Sequence, residues 1–283
     1  MRRRELLEGA AVAAAAWTAV RVARGADAPP ARKGRIRQCA CPGAFGKVPF
    51  EEKCRIAKRL GLHGIDLIRP GPDWDTLKAH GLICSMVPSH SLTRGLNAKA
   101  NHEECLAAIR QSVEAAAAAG FPNVICFSGN RNGISDEEGL ENCTVALKQV
   151  VGFAEQKHVT LCMELLNSKR NHKDYQCDHT AWGVELCKRV GSPNFKLLYD
   201  IYHMQIMEGD IIATIRESLP FIGHIHTAGV PGRNEIDENQ ELYYPAIMRA
   251  IADAGFTGFV AHEYSPKGDP VASLEKAVQI CDV

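Results

Sequence analysis

Short apolar runs alternate along the chain with longer stretches in which apolar positions recur at helical spacing. The short runs read as buried strands. They are RIRQCAC (35–41), GIDLIR (64–69), LICSMVP (82–88), NVICFSG (123–129), TLCMELL (160–166), FKLLYDI (195–201), FIGHIHT (221–227) and GFVAHEY (258–264). Helical patterns lie between them, as in FEEKCRIAKRLG (50–61), HEECLAAIRQSVEAAAAAG (102–120) and YYPAIMRAIADAG (243–255). These three end at a glycine, the residue expected at a helix C-cap. Strands alternating with helices imply parallel pairing through right-handed crossovers. Eight such units without a linker predict an α/β fold, a single closed (β/α)8 TIM barrel, which typically takes about 250 residues. A doubly wound open sheet would carry a Gly-rich phosphate turn after its first strand, and CPGAFG (41–46) does not have that spacing.

The first thirty residues stand outside this pattern. A basic start, an Ala-rich stretch and an A-x-A site at Ala26-Asp27-Ala28 read as an export signal over 1–30, leaving the barrel as 31–283. Arg3-Arg4-Glu5-Leu6-Leu7 is similar to a twin-arginine signal, which predicts a periplasmic protein; a cytoplasmic protein with a frayed tail is the alternative. The apolar run is broken by Glu8, Arg21 and Arg24, so no membrane span is expected. The 33 basic and 33 acidic residues cancel. That balance argues against a nucleic-acid partner, which usually demands a basic surface, and directs attention to small-molecule chemistry. The 11 cysteines are odd in number, irregularly spaced and mostly set in apolar runs. They read as small buried hydrophobes, Cys39 and Cys41 included, and no disulfide framework is expected.

In a barrel of this kind the functional groups gather at the C-terminal strand ends. Read from that end, the last four strands offer Glu164, Asp200, His226 and Glu263, with Cys162, Leu198, His224 and Ala261 one layer deeper on the same faces. His224 and His226 therefore share a face, one as a supporting or core histidine and the other in a polar ring. Three carboxylates converging in a low-dielectric mouth repel one another, and a divalent cation at their centre resolves the conflict. Three oxygen donors with one imidazole suit Mn²⁺, Mg²⁺ or Co²⁺ better than a sulfur-rich or closed zinc site. The plain alternative is that each acid caps the following helix or pairs with a lysine.

MELLNSK, YDIYHMQIMEGD, GHIHTAGVPGRNE and HEYSP together resemble the hydroxypyruvate isomerases of the xylose-isomerase-like TIM-barrel superfamily, which also holds ketose 3-epimerases, inosose dehydratases and endonuclease IV. The resemblance covers nearly the whole chain after the signal. It implies an enzyme with one divalent metal ion on Glu164, Asp200, His226 and Glu263, and with Glu164 and Glu263 facing each other across a small-molecule substrate. It implies interconversion of hydroxypyruvate and tartronate semialdehyde, and it leaves room for a homo-oligomer. Hydroxypyruvate isomerases often carry glutamine where this chain has His226, whereas the ketose epimerases carry histidine, so a ketose 3-epimerase stays open as the alternative. Both reactions need a proton removed beside a carbonyl. The cation would chelate neighbouring oxygens and stabilise the enediolate, while one glutamate takes the proton and the same or the opposite one returns it.

Further candidates line the mouth. The resemblance makes His203 a substrate-oxygen contact; a helix-start histidine bonded to backbone is the alternative. Arg233 follows Pro231-Gly232 and suits a bidentate grip on a carboxylate, or else a surface ion pair with Glu235. Asn167, Arg69 and His90 fall just beyond strand ends and are expected in the pocket lining. The polar stretch NSKRNHKDYQCDH (167–179) is long for a βα loop and is expected to fold over the substrate as a lid.

Overall fold

The structure is a computed structural model that describes residues 32–283; the expected export signal lies outside the described residues. Seven parallel strands form one sheet in the order β2-β1-β7-β6-β5-β4-β3. They are β1 (Arg37–Ala40), β2 (Gly64–Ile65), β3 (Asn123–Cys126), β4 (Thr160–Glu164), β5 (Phe195–Asp200), β6 (Ile222–Thr227) and β7 (Phe259–His262). Among the described residues, ten α-helices cover it: α1 (Phe50–Arg59), α2 (Pro72–Ala79), α3 (His102–Ala119), α4 (Asp136–Lys148), α5 (Val151–Gln156), α6 (Thr180–Val190), α7 (Ile201–Met207), α8 (Ile211–Ser218), α9 (Tyr244–Asp253) and α10 (Pro270–Ile280).

The expected strand at 82–88 is present as a stave rather than as a ladder. It makes single parallel bridges, Gly64 to Ile83 and Val87 to Val124, and so joins the two edge strands. Its hydrogen bonds run both ways, Ile65 N to Ile83 O at 3.0 Å and Val87 N to Asn123 O at 2.9 Å. The pairing is irregular rather than short: Leu67, at φ 58°, still donates its N to Met86 O at 2.8 Å. Gly64 sits where the two staves approach closest: a Cβ there would collide with the Ile83 carbonyl. Gly64→Ala is therefore expected to cost about 1–3 kcal/mol by overpacking, read as a lower denaturation midpoint; an unchanged midpoint would mean the seam yields freely.

Two layers of core follow from this geometry. Most apolar residues pack between sheet and helices. Inside the barrel, Met86, Ile125, Cys162 and Leu198 form a separate small cluster, and Cys39, Phe259 and Ala261 form another. These fill the level beneath the mouth, as layered barrel interiors do. All 11 cysteines are free and buried, in keeping with their reading as core. Asp66, Ser85 and His224 are polar groups set in this interior, all fully buried.

Candidate active site and metal centre

The register explains how four residues from four staves meet. Asp200 lies opposite His226 on the β5–β6 ladder, whereas Glu164 lies opposite Leu198 and His226 opposite Ala261. Glu164 and Glu263 are therefore not ladder partners of the other two; the shear of the barrel brings them to the same rim. A register shift at Leu197/Leu198 leaves Gly223 unpaired as a bulge. There is no room for a larger residue, since a Cβ on Gly223 would come within 2.9 Å of Lys196 Cβ. After the bulge, His224 and His226 both turn into the barrel, where neither is exposed.

One donor atom each from Glu164, Asp200, His226 and Glu263 lies within 4.8 Å of the others. This is the set expected from the sequence. Asp200 does cap a helix as well: its Oδ1 accepts from His203 N at 3.1 Å, at the start of α7, while Oδ2 stays with the cluster. Capping fixes the rotamer that presents the second oxygen. His226 Nδ1 sits 2.7 Å from Glu263 Oε2 and 3.7 Å from Glu164 Oε1, yet it is buried and in line for a hydrogen bond with neither. A lone pair aimed among three carboxylates is what a hard divalent cation requires, so the residues present fit such an ion.

The carboxylates and the imidazole shift one another's titration. Burial pushes the Glu164 carboxyl well up, with His226 opposing and Glu263 and Asp200 adding to the rise. Burial acts the same way on Glu263, but His226 and Arg233 outweigh it and hold its carboxyl low. His226 is held far above the ordinary imidazole value: burial opposes, while the Glu263 charge and the nearby Asp66 and Glu164 carboxylates win. A divalent ion competes with that proton for the Nδ1 lone pair.

Arg233 belongs to this cluster rather than to the surface. Its Nη2 lies 2.8 Å from Glu263 Oε2 and 3.3 Å from Asp200 Oδ2, and its Nε is buried without a partner. The expected alternative, a pair with Glu235, does not form, because Glu235 Oε1 accepts instead from Lys267 N at 2.6 Å. The loop that carries Arg233 is folded tightly on itself, with Gly229 N on Asn234 O at 2.8 Å and Arg233 at φ 57°. The guanidinium also lies 5.5 Å over the Tyr202 ring.

His203 is fully buried, and burial above all, then the Arg233 and His172 charges, keeps it neutral. Its tautomer follows from Asn167. The Asn167 Oδ1 accepts from Arg170 N (3.1 Å) and Asn171 N (3.0 Å), so the amide group must face the other way. Its Nδ2 then donates to His203 Nδ1 at 2.6 Å, which leaves the proton on Nε2. That Nε2 is buried without a partner, 3.7 Å from Asp200 Oδ2. Asn167 thus acts behind His203 rather than as direct pocket lining.

The remaining expectations divide. His90 uses both ring nitrogens on backbone, accepting from Phe127 N at 3.2 Å and meeting Ser91 O at 3.1 Å, and so ties its loop to the end of β3. Arg69 is exposed and makes no ion pair with a site residue. The 167–179 stretch is anchored at both ends, while 169–171 and 173–174 between them are exposed. Tyr175, Gln176 and Cys177 are buried, and Tyr175 OH donates to Glu164 O at 3.0 Å and accepts from Ser128 N at 3.1 Å. Arg131 holds Asp178 at 3.0 Å. The length of this loop reflects tertiary anchoring that its polar composition conceals.

Sequence reasoning missed Asp66. Its Oδ2 faces His224 Nε2 at 2.7 Å and His226 Nε2 at 3.2 Å, and Ser85 Oγ donates to its Oδ1. Burial opposes ionisation, but His224 and then His226 hold the carboxyl far below the usual range. Cys41 lies beside the pair, within 4.8 Å of Asp66 and His226 donor atoms. Burial, followed by the Glu263 and Asp66 charges, raises its thiol well above the ordinary value, so it stays protonated.

The profile of the xylose isomerase-like TIM barrel family matches residues 54–281. The chain is 26% identical over 246 residues to the hydroxypyruvate isomerase of Escherichia coli, covering 81% of this chain and 93% of that one. It is 36% identical over 135 residues to the 2-oxo-tetronate isomerase of Cupriavidus necator, 48% of this chain and 50% of that one. It spans 62% of the length of the human and mouse relatives it matches. Among solved structures, a family 2 AP endonuclease from Brucella melitensis superposes with a TM-score of 0.77 at 26% identity, covering 84% of this chain and 97% of that one. With residues 54–281 matched and the barrel and its rim of acids in place, this chain belongs to the xylose isomerase-like TIM barrel family.

Proposed function

We propose that the protein is a metal-dependent isomerase of short hydroxy-carbonyl acids, acting most readily between hydroxypyruvate and tartronate semialdehyde. The observation that carries the reading is the convergence of Glu164, Asp200, His226 and Glu263 within 4.8 Å at the C-terminal rim. A divalent ion held there would supply Lewis-acid polarisation of a carbonyl and its neighbouring hydroxyl. The chain's own groups do the rest. A glutamate of the pair takes a proton from the hydroxymethyl carbon, and one is returned to the former carbonyl carbon. His203 Nε2–H donates to a substrate oxygen. Arg233, with a buried and unpartnered Nε, offers a donor to a carboxylate. Relatives named for hydroxypyruvate and for 2-oxo-tetronate support a substrate that carries one.

His226 favours a second reading. It stands where the resemblance places glutamine in hydroxypyruvate isomerases and histidine in ketose 3-epimerases, and those epimerases would use the same two glutamates. The test is direct. Protein stripped with EDTA is expected to lose at least about 99% of its turnover and to regain it with Mn²⁺, Co²⁺ or Mg²⁺. In D₂O, hydroxypyruvate should yield tartronate semialdehyde deuterated at the former carbonyl carbon. Deuterium at C3 of a ketose, with no reaction of the acid, would decide for the epimerase. Full activity in the chelated protein would sink both.

A further inference from the structure

We propose that Asp66 is a positioning residue that fixes His226 as the Nε2–H tautomer and so presents its Nδ1 lone pair to the metal. The inference rests on the metal-dependent reading above. It starts from hydrogen-bond bookkeeping. An ionised carboxylate only accepts, so a ring nitrogen bonded to it must carry the proton. Asp66 Oδ2 faces His226 Nε2 at 3.2 Å, and the opposite ring nitrogen, Nδ1, is the atom turned toward Glu164 and Glu263. The proton on one side dictates the lone pair on the other.

Asp66 is built to do this. Its backbone N donates to Ala40 O at 3.0 Å, just beyond β2. Two strands, β1 and β7, separate β2 from β6 in the sheet, so the side chain reaches His226 through the barrel interior rather than along a ladder. Ser85 Oγ occupies its Oδ1, and His224 Nε2 approaches Oδ2 at 2.7 Å. The carboxylate is thus held from three sides, and it is fully buried with every partner. The two histidines of GHIHT have distinct tasks: His226 faces the ion, and His224 helps hold the acid that orients it. Carboxylates behind metal-bound imidazoles typically contribute 10–100-fold to affinity, which sets the expected effect at about that size.

Asn has one oxygen where Asp has two, so Asp66→Asn must turn its amide N–H toward one of its three partners. An amide facing His226 Nε2 would drive the proton to Nδ1 and block the ion. The full chain, stripped of metal, is titrated with Mn²⁺, and free ion is followed by electron paramagnetic resonance. Asp66→Asn is expected to bind about 10–100-fold more weakly than wild type, with circular dichroism unchanged. In a His226→Ala background the same change should cost nothing further, whereas a merely structural acid would cost as much as before. If Asp66→Asn does not fold, the wild type decides: with ¹⁵N-labelled histidine and ¹¹³Cd²⁺, coupling must appear at His226 Nδ1, with the proton on Nε2. Coupling at Nε2, undiminished affinity in a folded Asp66→Asn, or an equal loss without His226 overturns the proposal and leaves the metal reading intact. Wild type that binds no divalent ion sinks that reading and this one with it.

Discussion

Glu164→Gln is expected to turn over at least about 10³-fold more slowly than wild type, with its fold retained. General acid–base catalysis alone contributes about 10²–10⁴-fold, and this residue is also one of four donors to the proposed ion. The carboxamide keeps the volume of the side chain, and the β4 backbone that carries it is anchored independently by Tyr175 OH on Glu164 O at 3.0 Å. Burial presses the Glu164 carboxyl toward its neutral form even in wild type, so the neutral amide is no burden on packing. Melting temperature should hold or rise slightly while kcat collapses. Adding metal to saturation separates the two roles: any turnover it restores is the part lost through weak binding, and the residue left is the part lost with the proton carrier. A saturated Glu164→Gln enzyme with wild-type kcat would remove Glu164 from the proton path. Glu263→Gln should behave similarly, but with an additional effect on Arg233, whose Nη2 rests on Glu263 Oε2 at 2.8 Å.

The four-donor rim was legible in the sequence because two simple periodicities locate it. Strand alternation sets which face each residue takes, and the barrel rule sets which strand end matters. Asp200 and His226 close their strands or lie one residue from the end, and Glu263 lies one residue beyond β7. What could not be read was coupling between distant staves. Asp66 sits in GIDLIR as a lone acid within an apolar run, and nothing local shows that Leu67 turns left-handed or that His224, 158 residues away, completes its partner set. One signal was available: His224 falls in the layer below the mouth, where an unpaired imidazole is costly, and Asp66 is the only acid in the 64–69 strand candidate. Matching the two would have found the pair. The stave at 82–88 lies where the pattern puts it, parallel between its sequence neighbours β2 and β3, although it makes only single bridges to each.

Asn167→Asp is expected to lower kcat by roughly 10²-fold, the scale of one lost acid–base or oxyanion donor, and to do so with less loss of stability than Asn167→Ala. Aspartate keeps the oxygen that accepts from Arg170 N and Asn171 N at 3.1 and 3.0 Å, so the turn after β4 survives. It lacks the amide N–H that now reaches His203 Nδ1 at 2.6 Å. An acceptor in that place asks for a proton on Nδ1, and burial forbids the imidazolium that would satisfy both sides. The proton therefore leaves Nε2, the atom that faces Asp200 Oδ2 at 3.7 Å and the proposed substrate oxygen. Alanine removes both functions: the turn loses its side-chain acceptor, about 1–2 kcal/mol by analogy with lost helix caps, while His203 remains free to take either tautomer. The two substitutions should thus rank in opposite order, aspartate worse for turnover and alanine worse for denaturation midpoint. A ranking in which activity simply follows stability would show that Asn167 only shapes the loop, and the hydrogen-bond donor assigned to His203 would fall with it.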